Sequence, residues 1–189
     1  MKIVRLRFNG ACPLLMHSER GANPLDKAVQ AHKELTSKRQ KTEDDQLAIA
    51  WSEYKLAIYH DEQLGPYIPA TNIDRCIQVG AQANKLGKKF AASARCTKDK
   101  IKLLYSGPSD VQGLYDAGYV DVRSVGVQRA RVMRVRPLFR SWSVEFDFAY
   151  DESELDESNI IIAAETAGRI VGLCDYRPRF GRFDVEVVG

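Results

Sequence analysis

The stretch RIVGLCDYRPRFGRFDVEVV, residues 169–188, decides the fold because it joins the end of a helix to a closing strand through a loop. Gly172 suits the residue that ends the helix, since glycine takes positive φ without strain. Pro178 cannot continue a helix and indicates a loop. After Gly181, apolar residues alternate with charged ones, which is the period of a half-buried strand. The stretch therefore predicts helix, loop and strand in that order.

Three arginines surround the second glycine of this loop: Arg177, Arg179 and Arg182. Guanidinium groups match phosphate oxygens in pairs, and backbone N–H groups beside a glycine add donors. The loop is therefore a candidate phosphate-binding segment. On this stretch alone, a solvated turn with surface arginines remains an equal alternative.

Periodicity predicts the elements that precede the loop. Residues 2–9 alternate between charged and apolar side chains and form a first strand. Asn23 and Pro24 are typical of a helix start. Residues 119–136 alternate valines with arginines, and residues 142–148 alternate aromatic or aliphatic residues with polar ones. We expect these last two runs to pair as a long hairpin.

A further helix begins at Ser158 or Asn159, so the elements follow the order strand, helix, strand, strand, helix, strand. This order predicts an α+β chain with a ferredoxin-like (RRM-like) βαββαβ fold, an antiparallel sheet with two helices on one face. We expect a single domain over residues 1–189. Residues 37–118 would be an insertion of helices and a basic flexible loop, placed between the first helix and the central hairpin.

The charge distribution is more informative than the net charge of +3. Residues 85–140 contain thirteen Lys or Arg and four acids, whereas residues 145–157 contain seven acids and no base. A basic centre beside an acidic segment favours a polyanionic partner, or association of one copy with another.

Several classes of protein are disfavoured by what the chain contains. The four cysteines are widely spaced and form no CxxC pair, which is typical of reduced thiols in a cytoplasmic protein. The first residues, MKIVRLRF, resemble no signal peptide, and no apolar run approaches the length of a membrane span. Nucleophile-elbow, P-loop and Rossmann motifs are absent from the sequence. We expect no membrane association, no metal and no cofactor.

Catalytic candidates are few. His17, in the loop after the first strand, is the strongest candidate for a general acid or base, although a loop histidine with a backbone partner is the simpler explanation. His32 falls on the apolar face of a helix and is typical of a core histidine. Asp26 lies in the first turn of that helix, which is sufficient to explain an acid there.

Three segments, taken in order, resemble a known family. They are GACPLLMH (residues 10–17), GPYIPATNIDRCI (residues 65–77) and the loop GLCDYRPRFGRF (residues 172–183). Their order resembles the RAMP superfamily of RNA-binding proteins in CRISPR systems, in particular the backbone subunit that polymerises along the guide RNA. The chain is similar to the small, solitary versions carried by bacteriophages, which would place it in the host cytoplasm.

Within the second segment, Pro69 matches the family's IPGSSLKG-like turn, Thr71 and Asn72 replace its serines, and Arg75 stands for its basic residue. A helix N-terminus here offers unpaired N–H groups to a phosphate. Tyr67, Tyr176 and Phe180 are possible stacking platforms, although packing explains each more simply. The predicted nucleic-acid-binding residues are Thr71, Asn72, Arg75, Lys85, Lys88, Lys89, Arg123, Arg129, Arg131, Arg134, Arg136, Arg177, Arg179 and Arg182.

The sequence thus favours a non-catalytic protein that binds RNA, or another single-stranded nucleic acid, through backbone phosphates. The resemblance implies a homo-oligomer along the ligand and CRISPR-type subunits as partners. The first alternative is a metal-independent RNA endonuclease of the RAMP type that uses His17. The second is a structural or host-interaction protein whose basic face binds an acidic protein, since edge strands also carry cations to prevent aggregation.

Overall fold

The computed structural model describes residues 1–127 and 130–189, so Arg129 of the predicted interface lies outside the described residues. The strands are β1 (Lys2–Gly10), β2 (Leu14–Leu15), β3 (His60–Asp61), β4 (Gly65–Pro69), β5 (Ala94–Cys96), β6 (Lys100–Leu104), β7 (Val120–Val127), β8 (Ala130–Phe139), β9 (Ser143–Tyr150) and β10 (Phe183–Val187). The helices are α1 (Lys27–Ser37), α2 (Glu43–Ala57), α3 (Ala70–Gln82), α4 (Gly87–Ser93), α5 (Val111–Asp116) and α6 (Glu157–Ile170), with a 3-10 turn at Glu19–Ala22.

The main sheet is antiparallel and runs in the order β10-β1-β9-β6-β4-β3, with β5 also paired to β9. Its first four strands reproduce the fourth-first-third-second order of a ferredoxin-like fold, so the predicted fold class is confirmed. Period-2 alternation sends one side of each strand into the core. On β1 the core residues are Val4, Leu6 and Phe8, and on β9 they include Val144 and Phe146.

The helices α3 and α6 cover that side of the sheet. In α3 the buried residues Ile73, Cys76, Ile77, Gly80 and Ala81 follow the spacing of one helical face. Gly80 permits an unusually close approach, because a Cβ at this position would lie 2.3 Å from the carbonyl oxygen of Ala163 in α6. The glycine that interrupts the helical pattern is therefore a packing residue.

Strand pairing corrects one prediction. The runs 119–136 and 142–148 do not pair with each other: β7 and β8 form their own hairpin, in register from Val120↔Pro137 onward, while β9 pairs with β1, β5 and β6. The second strand of the ferredoxin pattern is β6. Both β6 and α3 belong to residues 37–118, the segment that the sequence assigns to an insertion. Alternation alone does not identify the neighbour of a strand, and β6 offers only five residues of signal.

Two further expectations are corrected. The first predicted helix begins at Lys27 and is capped by Asp26, whose carboxylate accepts a hydrogen bond from the Ala28 N–H at 2.7 Å; Asn23 instead accepts from the Leu25 N–H in the preceding turn. Residues 85–118, expected to be an extended and partly mobile segment with one strand at residues 101–105, contain α4, β5, β6 and α5. No helix in the described part of the chain combines the length and apolarity needed to cross a bilayer.

The hairpin β7–β8 is joined to the body on two sides. β2 pairs with β8 at Leu14↔Phe139 and Leu15↔Leu138. On the other side, the buried carboxylate of Glu53 in α2 accepts from the Val135 N–H at 3.1 Å and from Arg134 at 2.6 Å. These contacts fix the hairpin against β2 and α2.

Candidate nucleic-acid interface

The three segments that carry the family resemblance meet in space. The Ala11 N–H donates to the Arg182 carbonyl at 2.9 Å, the Gly181 N–H to the Pro13 carbonyl at 2.8 Å, and the Asp175 N–H to the Leu15 carbonyl at 2.9 Å. From α3, the Cys76 thiol reaches the Gly172 carbonyl at 3.2 Å. We call this meeting point of residues 10–17, 65–77 and 172–183 the three-segment junction.

Residues 172–182, the arginine loop, are closed by their own backbone. The Leu173 N–H donates to the Gly181 carbonyl at 2.8 Å. Gly181 has φ +73°, and a Cβ there would lie only 2.0 Å from the Leu173 carbonyl oxygen. Only glycine fits this closure, so the glycine determines the shape in which the neighbouring arginines are presented.

Arg177, Arg179 and Arg182 are all exposed on this loop. Within the described residues, none of the three has a carboxylate within ion-pair distance, unlike the arginines of β1, which are paired with acids. An unpaired exposed guanidinium can contact a phosphate without first breaking an ion pair. The junction therefore presents three available cations within six residues.

The N-terminus of α3 lies at the same junction. The Ala70 N–H donates to the Asp99 carbonyl at 2.8 Å, while the next N–H groups of a helix have no intrahelical acceptor. Thr71 is exposed and Asn72 is half-buried. Burial raises the pKa of Tyr59, and the adjacent Asn72 side chain partly opposes that rise, so Asn72 is turned inward toward Tyr59. Thr71 is the outward-facing member of the pair.

The predicted lysines lie at the other end of α3. Lys85, Lys88 and Lys89 follow a helix of 13 residues, which places them about 20 Å from its N-terminus. Lys89 also forms an ion pair with Glu154 at 3.2 Å. Arg75, one turn into α3, hydrogen-bonds to Gln78 at 2.8 Å and lines a groove together with Thr71 and Arg95. Arg95 is a cation of this groove that the sequence analysis missed.

The arginines of the hairpin have mainly structural partners. Arg136 is only 5% exposed and pairs with Asp175 of the arginine loop. Arg123 donates to both oxygens of Asp121, with its Nε 2.6 Å from Oδ2. Arg134 pairs with Glu53 in α2. Period-2 geometry places these three arginines on the hairpin face that meets the body.

Arg131 differs from the other hairpin arginines. It is exposed, it stands opposite Gly126 in the register, and within the described residues it has no ion pair. Of the arginines predicted on this strand and described by the structure, Arg131 is the one whose charge is available at the surface. The arginines of this strand share one spacing in the sequence. Which of them are ion-paired and which are available becomes visible only when the strand is packed against the body.

The side of the sheet that faces away from α3 and α6 carries a ladder of ion pairs. Arg5 pairs with Asp147 and Arg7 with Glu145, both at 2.7 Å, and Lys100 pairs with Asp61 at 2.6 Å. Much of the charge on this face is thus neutralised locally. Cations here that the sequence analysis did not select are Lys98, Lys100 and Lys102, which line a groove with Arg5.

Two thiols of the junction, those of Cys76 and Cys174, are not activated. Burial, partly opposed by Arg177, raises the pKa of Cys76 and of Cys174 to about 12, so both are protonated at neutral pH. Among the described residues, no group of three or more His, Cys, Asp or Glu side chains is arranged to hold a metal ion.

His17 lies at a second place, where it meets the other predicted histidine. A cavity of about 220 Å³ is lined by His17, His32, Lys33, Glu53 and Arg134, among other residues. The His32 Nδ1 is 3.2 Å from the Ser52 hydroxyl. Asp26 is fully engaged elsewhere: hydrogen bonds from Arg20, then from the Ala28 N–H, lower the pKa of this carboxyl.

Comparison with known proteins gives one informative result. No protein-family model matches the chain, and no curated protein matches it. Among solved structures, it is similar to a chain in the "Cryo-EM structure of the Type III-B Cmr-beta bound to cognate target RNA", with a TM-score of 0.52 and 12% identity. The match covers 99% of this chain and 61% of that chain, so the present chain spans about three fifths of its length. At this identity the likeness shows the fold alone.

Proposed function

We propose that the chain binds single-stranded nucleic acid, RNA first of all, by gripping backbone phosphates at the three-segment junction. The observation that carries the proposal is the set of exposed arginines, Arg177, Arg179 and Arg182, held by a backbone-closed loop and left without acidic partners among the described residues. Guanidinium groups presented in this way grip a strand without reading its sequence. The helix N-terminus at Thr71, which lines a groove with Arg75 and Arg95, would add N–H donors for a phosphate.

The structural neighbour supports RNA as the ligand class, because that complex was determined with target RNA bound. Its chain shares the fold over almost all of the present chain, although it is longer. The three converging segments are also those that carry the resemblance to the RAMP superfamily. In this proposal Arg75, Lys85 and Lys88 extend the track along α3, and Arg131 extends it along the hairpin.

Fluorescence anisotropy with a labelled 20-nucleotide oligouridine RNA and the matching DNA tests the proposal. The variant R177Q/R179Q/R182Q removes three cations from the loop. The matched control K98Q/K100Q/K102Q removes the same charge from the opposite face of the sheet. Each lost phosphate contact on a single strand lowers the slope of log K against log salt by about 0.7, so the loop variant should lose a slope of about 2. Equal losses in both variants, or no binding by the wild type at low salt, would contradict the proposal.

We further propose that copies associate along the ligand and assemble with CRISPR-type subunits. Residues 151–157 form an acidic segment at the start of α6, and a basic surface of a neighbouring copy is a complementary partner. Light scattering with and without ribonuclease, recording the 260/280 nm absorbance ratio, tests the association. Purified protein should be a large species rich in nucleic acid that falls to a monomer after ribonuclease. A monomer free of nucleic acid would contradict it.

The cavity that contains both histidines favours a second candidate, metal-independent RNA cleavage. Two imidazoles can serve as general base and general acid, and Lys33 or Arg134 can stabilise charge on the phosphate. If the protein is a nuclease, His17→Ala should abolish cleavage of a labelled RNA in EDTA while leaving its affinity unchanged. Intact RNA after prolonged incubation with the wild type would exclude this candidate and leave binding as the activity.

A further inference from the structure

Tyr176 is an exposed aromatic residue at the centre of the arginine loop. Its exposed fraction is 49%, whereas Phe180, whose ring centroid is 5.8 Å away, is 9% exposed and packs with Leu15 and Leu138. A single exposed aromatic ring is common on protein surfaces and is not informative alone. The surroundings of this ring make it informative.

A cation that is itself held by hydrogen bonds lies over the Tyr176 ring on the side of the hairpin. The Arg123 guanidinium lies over the ring at 5.3 Å from its centroid, and at 4.8 Å from the centroid of Phe180. Arg123 is itself fixed by two hydrogen bonds to Asp121, which is 9% exposed. Cation–π contact thus supports the ring, while 49% of the residue stays exposed.

The backbone of Tyr176 is held in a conformation that a tyrosine rarely adopts. Its φ is +56°, in the left-handed region that favours glycine. The Tyr176 N–H donates to an Asp175 carboxylate oxygen at 2.8 Å, and the other oxygen of Asp175 pairs with the buried Arg136. The Asp175 N–H is bound to the Leu15 carbonyl at 2.9 Å. A strained position fixed by this many contacts is a mark of a functional residue.

We infer that Tyr176 is a stacking platform for one unpaired nucleobase of the bound single strand. This rests on the proposed function: the exposed Arg177 and Arg179 that follow it contact the phosphates, and the strand between them turns a base onto the exposed part of the ring. Stacking on an aromatic ring tolerates every base and requires that the base be unpaired. A platform already held in place needs no ordering when the strand binds.

The test uses two variants and a fluorescent base. Tyr176→Leu keeps an apolar side chain but removes the ring, and Tyr176→Phe keeps the ring. The probe is a 12-nucleotide single strand with 2-aminopurine at alternate positions, prepared as RNA and as DNA. Base stacking on an aromatic residue accounts for about 5- to 150-fold in affinity. Tyr176→Leu should weaken binding by a factor in that range, whereas Tyr176→Phe should stay within about threefold of the wild type.

Two readouts separate stacking from a general disturbance of the loop. The wild type and Tyr176→Phe should change the 2-aminopurine fluorescence at saturation, since a stacked probe is quenched, while Tyr176→Leu should not. Because stacking releases no counterions, Tyr176→Leu should also keep the wild-type salt slope that R177Q/R179Q/R182Q loses. Should Tyr176→Leu fail to fold, the fluorescence of the wild type still tests the platform, because binding without quenching refutes it.

The failures of the two proposals are distinguishable. If the wild type binds with a steep salt dependence but without quenching, or if Tyr176→Leu binds as tightly as the wild type, the platform is refuted and phosphate binding stands. If the wild type binds neither strand at low salt, the proposed function is refuted and the platform falls with it. An acidic protein would then be the partner to seek for the arginine loop.

Discussion

Replacing Gly80 by alanine should lower the free energy of unfolding, although helix propensity alone predicts that it rises. In an exposed helix the change from glycine to alanine stabilises by about 1 kcal/mol. Here the new Cβ would lie 2.3 Å from the Ala163 carbonyl oxygen and 2.8 Å from the Ala167 N. Both are backbone atoms of α6, so the contact is relieved only if α3 moves away by about 1 Å. Overpacking of this kind costs about 1–3 kcal/mol, and a backbone clash belongs at the upper end.

After the gain in helix propensity is subtracted, Gly80→Ala should lower the free energy of unfolding by about 1–2 kcal/mol. For a chain of this size the thermal midpoint should fall by about 2–8 °C. Urea and thermal denaturation followed by circular dichroism measure both quantities. Ala31→Gly, at an exposed position of α1, is the calibrating control for propensity. A midpoint for Gly80→Ala equal to or above that of the wild type would refute the close packing of α3 on α6.

Three shorter predictions follow from other contacts. Glu53→Ala should cost about 2–3 kcal/mol in urea denaturation because it leaves the buried Val135 N–H without an acceptor, whereas Glu53→Gln keeps an acceptor and should cost about 1 kcal/mol or less. Hydrogen bonds, chiefly from Lys100, lower the pKa of Asp61 to about 2. The stability that they provide is present above pH 4 and is lost as the pH falls through 2. The thermal midpoint of Asp61→Asn should therefore depend less on pH across that window than the midpoint of the wild type. Arg5→Gln, on the ion-paired face of the sheet, should leave RNA affinity and its salt slope unchanged in anisotropy titrations.

The ferredoxin-like fold was predictable because its edge elements carry strong local signals. The strand at residues 2–9 and the final strand both alternate cleanly in the sequence, and both are present in the structure. The neighbour of β9 was not predictable, because alternation specifies which side of a strand is buried and not which strand lies beside it. The five-residue β6 therefore gives a weaker signal in the sequence than the longer valine–arginine run, which was expected to pair with β9.

Gly80 illustrates a different limit of sequence reasoning. By propensity it lowers the expectation of a helix through that position, and the structure shows why it is there: the α6 backbone occupies the space of a side chain. A single sequence contains no record of which helix approaches which. The start of α1 shows a smaller error of the same kind. Asn23 and Asp26 are both of residue types that cap helices, and the turn between them determines that Asp26 is the cap.

The candidate interface shows why a count of arginines is a poor guide to a phosphate-binding surface. In the sequence, the arginines of the hairpin and those of the loop are equivalent cations. In the structure, Arg123 and Arg136 are bound to Asp121 and Asp175 on the face where the hairpin meets the loop. Buried ion pairs gain little net stability but penalise every other arrangement of the same groups, which suits a role in fixing geometry.

The positions of the exposed loop arginines depend on the ion-paired arginines of the hairpin. Arg136 holds Asp175, Asp175 holds the backbone of Tyr176, and Arg123 supports its ring. The exposed Arg177 is the very next residue, so its position depends on the contacts that hold Tyr176. A ligand bound at the loop must therefore respond to changes in buried residues of the hairpin, whereas the ion pairs on the far face of the sheet have no such path to it. Under the proposed function, the preorganised loop would hold the strand, more than the total positive charge would.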